Sequence, residues 1–410
     1  MFISKDEVFK LVIKYGTPLY VYDEKTLRKS CKEMYNLLPG KNLRISYSAK
    51  ANSNIELLKI IRDEDIDADA MSPGEIYLQE LAGFSAERIF FIPNNVSAEE
   101  LLFAIERKIP VSVDSISQLD LFGKINPGGE VSVRLNPGTG LGHHEKVITA
   151  GKKTKFGIQM SQLDEVKLLL KKHNLKLSGL NQHLGSHVLT KEPFLAGVKV
   201  LLEIAKQFPD LSVIDFGGGF GVPYREGENR LDLADLSISL DQMITEFLNE
   251  YGNKDVLFRI EPGRYIAAEC GILLGTVQAV KTNYDTEYIG TDLGCNVLMR
   301  PVLYDSYHEV DIIKKDKAAG PDNGEKKKYT VVGNICENGD VLAKERDLPE
   351  VNEGDIVVVN TAGAYGFSMS SNYNCRLKPA EVLIDLNGNH RLIRRRETLE
   401  DLIKTSILEK

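Results

Sequence analysis

Between residues 43 and 261 the chain alternates short apolar, β-branched runs with stretches in which apolar residues recur every three to four positions. Eight short runs stand out, at 43–49, 66–71, 89–93, 111–114, 130–135, 177–184, 212–216 and 256–260. Runs of this kind suit strands buried on both faces. The intervening segments 53–63, 74–83, 97–107, 160–173, 190–207 and 237–250 suit the crossover helices that parallel strands require, and several open on a capping residue such as Ser53, Ser97 or Thr190. Eight such units predict an α/β fold, the (β/α)8 TIM barrel, and residues 27–272 match its usual length of about 250.

After residue 273 strand-like pieces follow one another without helices: Leu274 to Val280, Tyr288 to Thr291, Glu309 to Ile313, Tyr329 to Val332 and Ile356 to Asn360. This predicts a C-terminal β domain over 273–410, barrel-like or sandwich-like, joined by the N-terminal residues 1–26. The charged, turn-rich stretch 314–328 reads as a solvated hairpin loop. Arg394-Arg395-Arg396 reads as the entry to an amphipathic surface helix from Leu399 to Leu408.

Composition narrows the function classes. With 42% hydrophobic and 27% charged residues the chain is ordinary for a globular protein, and a net charge of -8 provides no basic footprint for nucleic acid or anionic membrane. No apolar run approaches the roughly 18 residues that span a bilayer, and Met1 to Glu7 lack the apolar stretch of a signal peptide, so a cytoplasmic location is expected. The five cysteines, Cys31, Cys270, Cys295, Cys336 and Cys375, are widely spaced with no CxxC pair, which points to reduced thiols and no zinc site. The adjacent His143 and His144 lack an acidic ligand at helical spacing and read as loop residues. A small-molecule enzyme is the leading class.

Barrel enzymes build their sites from residues at the carboxyl ends of the strands and in the loops just beyond them. Here Lys50 comes directly after the first strand, Asp69 ends the second, His183 ends the sixth, Gly217-Gly218-Gly219 succeed the seventh, and Glu261-Pro262-Gly263-Arg264 succeed the eighth. The glycines suit a plain strand-to-loop turn, but loops after strands seven and eight are also where barrels bind phosphate through backbone N–H groups. A lysine flanked by Ile45, Tyr47 and Ala49 is desolvated, which favours the neutral amine that imine chemistry needs. An acid such as Glu261 would keep a pyridine nitrogen protonated, and the combination points to pyridoxal phosphate (PLP). His183 suits either stacking on a cofactor ring or a satisfied place in the barrel wall. Cys336 sits in the polar turn Gly333-Asn334-Ile335-Cys336-Glu337-Asn338-Gly339-Asp340, where a free thiol of pKa about 8.5 is mostly protonated and can donate to a carbanion. Arg264, and Arg300 with Tyr304, can clamp a carboxylate through charge-assisted hydrogen bonds, or form surface salt bridges.

Seven motifs, in order, carry a resemblance over nearly the whole chain: Tyr47-Ser48-Ala49-Lys50-Ala51-Asn52, His183-Leu184-Gly185-Ser186, Gly217-Gly218-Gly219-Phe220-Gly221, Glu261-Pro262-Gly263-Arg264, Arg300-Pro301-Val302-Leu303-Tyr304, Cys336-Glu337 and Ala364-Tyr365-Gly366. Together they resemble the PLP-dependent decarboxylases of diamino acids, most nearly the branch that acts on meso-diaminopimelate. The resemblance implies that Lys50 holds PLP and Cys336 protonates the carbanion left by CO2 loss. It implies a cofactor-binding set of Asp69, His183, Ser186, Gly218, Gly219, Glu261, Gly263, Arg264 and Tyr365, and substrate contacts from Arg264, Arg300, Tyr304, Glu337 and Tyr365. It further implies a homodimer with shared active sites, Cys336 and Glu337 reaching across from the second subunit. Asn181 and Asn338 depart from the family pattern, which usually has histidine at the first and often serine at the second.

Related readings are decarboxylation of D-lysine or D-ornithine, or a PLP-dependent amino-acid racemase. Two arginines and the acid Glu337 favour a substrate with a distal carboxylate and amine, and Glu261 argues against a racemase, which avoids a strongly protonated ring.

Overall fold

A computed structural model describes residues 2–138, 141–142, 150–151, 154–315 and 326–407. His143, His144, most of the 314–328 stretch and Leu408 lie outside the described residues. The chain forms two compact units, one of Arg28–Pro223 with Asn229–Ile266, the other of Met1–Leu27, Tyr224–Glu228 and Ala267–Lys410. Among the described residues no helix is long and apolar enough to cross a membrane.

The first unit is a ring of eight parallel strands in the order Ile89–Phe91, Asp67–Ala70, Leu43–Ser48, Leu257–Ile260, Val213–Asp215, Lys176–Asn181, Glu130–Asn136 and Ser112–Val113. A parallel bridge between Phe91 and Val111 joins the two ends of that order. The strands are buried on both faces: Val131, Val133, Leu135, Ile214, Phe258 and Ile260 on one are each at most 2% exposed, and Ser132, Arg134 and Arg259 on the other at most 6%, as expected where helices cover one side of a parallel sheet. Helices such as Ile55–Asp63, Pro73–Leu81, Ala98–Glu106 and Leu233–Glu250 fill the connections.

Local chemistry moves some boundaries. The chain leaves the first strand through a single 3-10 turn, Ala49–Ala51, which carries Lys50. The helix then starts at Ile55 rather than at Ser53, because the Asn54 side chain accepts from the Glu56 N–H at 3.0 Å and caps it there. The helix expected from Thr190 begins at Glu192, with Pro193 in its first turn. The sixth strand stops at Asn181; beyond it the Gln182 N–H turns to the Asp215 carbonyl, and Gly185–Ser186 form a short separate ladder with Leu141–Gly142.

In the second unit the sheet runs Val341–Leu348, Lys327–Val332, Thr286–Thr291, Gly271–Asn283, Leu19–Asp23, Ala380–Ile384 and His390–Arg394. Ile356–Val359 also pairs with Gly271–Asn283 and with Val310–Ile313. Leu19–Asp23 lies inside this sheet, antiparallel to Gly271–Asn283 and parallel to Ala380–Ile384. Its inward residues Leu19 and Val21 pack with Val8 and Leu11 of the helix Lys5–Tyr15 and with Leu274, Val358 and Val382. Leu274 has no exposed surface, so Leu274→Ala is expected to destabilise this unit by about 2–5 kcal/mol through lost burial and the cavity left behind. Urea denaturation followed by circular dichroism measures the effect as a lower midpoint.

Candidate active site

The turn after the seventh strand organises one end of the barrel. Gly217 has φ +74° and a Cβ there would lie 2.1 Å from the Gln182 carbonyl oxygen; a Cβ on Gly218 would lie 2.1 Å from that of Glu261. Only glycine fits both places. The approach allows three bonds: Gly217 N–H to Asp215 Oδ1 at 2.8 Å, Gly218 N–H to His183 Nδ1 at 3.1 Å, and Glu261 N–H to the Gly217 carbonyl at 3.0 Å. Two of the three glycine N–H groups are therefore used inside the protein, whereas that of Gly219 makes no hydrogen bond within the described residues.

Because His183 Nδ1 accepts from Gly218, any ring proton sits on Nε2. Burial, and then the charges of Lys50 and Arg134, hold its pKa well below the ordinary 6.5, so the ring is neutral. Its 3.9 Å approach to Glu261 Oε2 is then no ion pair.

Glu261 is 4% exposed, and its Oε1 has no hydrogen-bond partner. Burial, reinforced by the facing carboxylates Asp215 and Asp69, pushes its carboxyl well above the usual range, against the pull of Lys50 and Arg134. Asp215 is pushed up to about 6 by the same burial, with Arg259 opposing. Asp69 is also raised by burial, while Lys50 and the hydroxyl of Ser48, 2.6 Å from Oδ2, pull the other way. Lys50 thus stands within electrostatic reach of Asp69, His183 and Glu261, flanked by the buried Ala49 and Ala51. Arg264, next to Gly263 beyond the end of the eighth strand, is 5% exposed and donates to Ser186 Oγ from Nε at 3.2 Å and Nη2 at 2.8 Å.

The other expected residues belong to the second unit. Arg300 and Tyr304 are the ends of one short helix. Arg300 is 2% exposed, lies over the Tyr224 ring, and donates from Nη1 to His308 Nε2 at 2.8 Å. His308 in turn donates from Nδ1 to the Asn360 carbonyl at 2.9 Å, so one tautomer satisfies both contacts. Tyr365 adopts a left-handed conformation, φ +56°. Cys336 is exposed and held twice by Asn374, whose Oδ1 accepts from its N–H at 3.0 Å and whose Nδ2 meets Sγ at 3.2 Å. Tyr373 donates its hydroxyl to Glu337.

Residues 24–268 match the family model described as the pyridoxal binding domain of pyridoxal-dependent decarboxylases. The chain belongs to this family. It is 39% identical to a diaminopimelate decarboxylase of Methanothermobacter thermautotrophicus over 98% of this chain and 95% of that one. A solved diaminopimelate decarboxylase superposes with a TM-score of 0.92 at 33% identity, covering 99% of this chain and 97% of its own. That of Helicobacter pylori, solved with L-lysine, gives 0.87 at 32% identity over 98% of both chains.

A pyridoxal-dependent decarboxylase needs an amine for the cofactor's aldehyde, an acid for its ring nitrogen and donors for its phosphate. Lys50, the unbonded Oε1 of Glu261, and the Gly219 N–H with Arg264 are groups of those kinds, so the residues present fit the cofactor. Reading only the residues just beyond each strand misses the polar layer inside the barrel: Arg134, Asp215 and Arg259, all at most 6% exposed. Their signal is a charge within an otherwise apolar run, as in Val133-Arg134-Leu135, Ile214-Asp215-Phe216 and Phe258-Arg259-Ile260.

Asp215 keeps its proton to about pH 6 when folded, against an ordinary 3.8. The unfolded chain therefore releases that proton first, and the contribution of Asp215 to stability falls as pH rises from about 4 to 6 and then levels. Asp215→Asn keeps the oxygen that accepts from Gly217. In the cofactor-free protein its stability relative to wild type is expected to rise across that interval, as read from urea midpoints at successive pH values.

Proposed function

We propose that this chain decarboxylates meso-2,6-diaminopimelate to L-lysine and CO2, the last step of lysine biosynthesis, as a cytoplasmic homodimer with shared active sites. The observation that carries the reading is the buried Glu261, its Oε1 without a hydrogen-bond partner, within electrostatic reach of Lys50, at one end of a barrel whose near relatives are diaminopimelate decarboxylases. Bound, pyridoxal phosphate supplies the electron sink for the pair released as the α-carboxylate leaves.

Lys50 holds the cofactor through Nζ, with Asp69 as its acidic neighbour. Ser186, Gly218, Gly219, Gly263, Arg264 and Tyr365 complete the binding set. Burial and the facing carboxylates push the Glu261 carboxyl toward its protonated form, so it can share a proton with a ring nitrogen at Oε1. His183, neutral and oriented by the Gly218 N–H, presents an uncharged ring face for stacking. Cys336 delivers a proton from Sγ to the substrate α-carbon once CO2 has left. Its exposure on the second unit, with Glu337 beside it, supports its use by the barrel of a second subunit. Arg264, Arg300, Tyr304, Glu337 and Tyr365 hold the substrate; the guanidinium of Arg300, oriented by His308, suits the distal carboxylate and Glu337 the distal amine.

CO2 release and L-lysine formation from meso-diaminopimelate, with and without added PLP, test the reaction; turnover of D-lysine with none of diaminopimelate would overturn it. Cys336→Ala is expected to retain PLP absorbance and lose most turnover. Mixing Lys50→Ala and Cys336→Ala subunits should restore up to about a quarter of wild-type activity, since half the dimers are hybrids and each hybrid carries one intact site. Arg300→Ala removes a charge-assisted contact of about 1.5–3 kcal/mol, so kcat/KM for diaminopimelate should fall by roughly ten- to hundredfold.

A further inference from the structure

A pocket of about 320 Å3 opens at the amino-terminal ends of the barrel strands, the end opposite to Lys50. Its lining residues Glu130, Ser132, Ser178 and Val213 come from the starts of the fifth, sixth and seventh strands. Arg259, on the eighth, also lines it. The residue is 6% exposed, and its Nε and Nη1 are sealed from solvent without a hydrogen-bond partner. Its charge is felt by Asp215 and Asp69, but among the described residues no carboxylate lies within ion-pair distance of it; its one close aromatic contact is the Phe90 ring, 4.5 Å away. Donors left unpaired in a dry setting are costly, and a cation of this shape is satisfied by a two-oxygen acceptor.

The remaining lining agrees with that ligand chemistry. The hydroxyls of Ser132 and Ser178 stand 3.2 Å apart and can turn toward an acceptor. Phe90 and Phe122 supply apolar wall, and Lys108 adds an exposed positive charge. The acid lining the pocket, Glu130, is paired with Lys176 at 2.7 Å. A cationic group and two hydroxyls lining the same pocket as apolar walls, in a space of ligand size, select a small anion with a hydrocarbon part.

We propose that this pocket is a second binding site, for a small carboxylate bearing a branched or aromatic group, whose oxygens meet Arg259 and whose hydrocarbon packs on the phenylalanines. The PLP-loaded enzyme, in which the cofactor's phosphate site is filled, is titrated calorimetrically with benzoate, isovalerate and inorganic phosphate. Saturable binding of benzoate or isovalerate is expected, weakened about tenfold or more by Arg259→Met. Ser178→Leu fills the pocket while leaving Arg259 in place and should weaken binding similarly, with wild-type PLP absorbance showing an intact fold. Absence of saturable binding, affinities unchanged in both variants, or phosphate binding as tightly as benzoate would each overturn the proposal.

Discussion

The bond from the Glu261 N–H to the Gly217 carbonyl ties together the ends of the seventh and eighth barrel strands, neighbours in space and far apart in sequence. The turn that accepts it also gives Gly217 N–H to Asp215 and Gly218 N–H to His183. A side chain at either glycine would collide with a carbonyl of the neighbouring strand. One backbone arrangement thus sets the position of the acid, the tautomer of the histidine and the orientation of the carboxyl facing that acid. Side chains at a functional end hold their geometry when backbone rather than rotamers decides it.

Within that frame the chemistry is governed by burial of charge. Asp69, Asp215 and Glu261 share the interior with Lys50, Arg134 and Arg259. Nominal neutrality does not let every group ionise, because each carboxylate is also desolvated and disfavours its neighbours. Glu261 is pushed toward its protonated form, while His183, beside two cations, stays neutral. The interior therefore supplies an acid and an uncharged ring side by side, which two isolated residues in water at neutral pH would not do.

Much of the barrel was legible in the sequence because strands buried on both faces read as apolar runs, and their order along the chain places their carboxyl ends together. Lys50, His183, Glu261 and Arg264 are legible from their places at or just beyond strand ends. Arg134, Asp215 and Arg259 are not, since they lie within the runs and their role emerges only when eight strands close around them. The tautomer of His183 depends on a backbone N–H 35 residues away. In the second unit, Val341–Leu348 is masked by Lys344, Glu345, Arg346 and Asp347, which suit the edge position it occupies but hide its alternation. The place of Leu19–Asp23 was also illegible in detail, because its partners begin about 250 residues later and register over such a separation is settled by packing.

That strand has a consequence for how the chain is made. Synthesis releases Leu19–Asp23 before the barrel, whereas Gly271–Asn283 and Ala380–Ile384 emerge after it. For most of translation an apolar strand has both edges open and no partner to cover them. The barrel, whose strands all lie between residues 43 and 260, can close during that interval. The sheet of the second unit is therefore the late, long-range step of folding, and the early segment is the part of the nascent chain most in need of protection from other open strand edges.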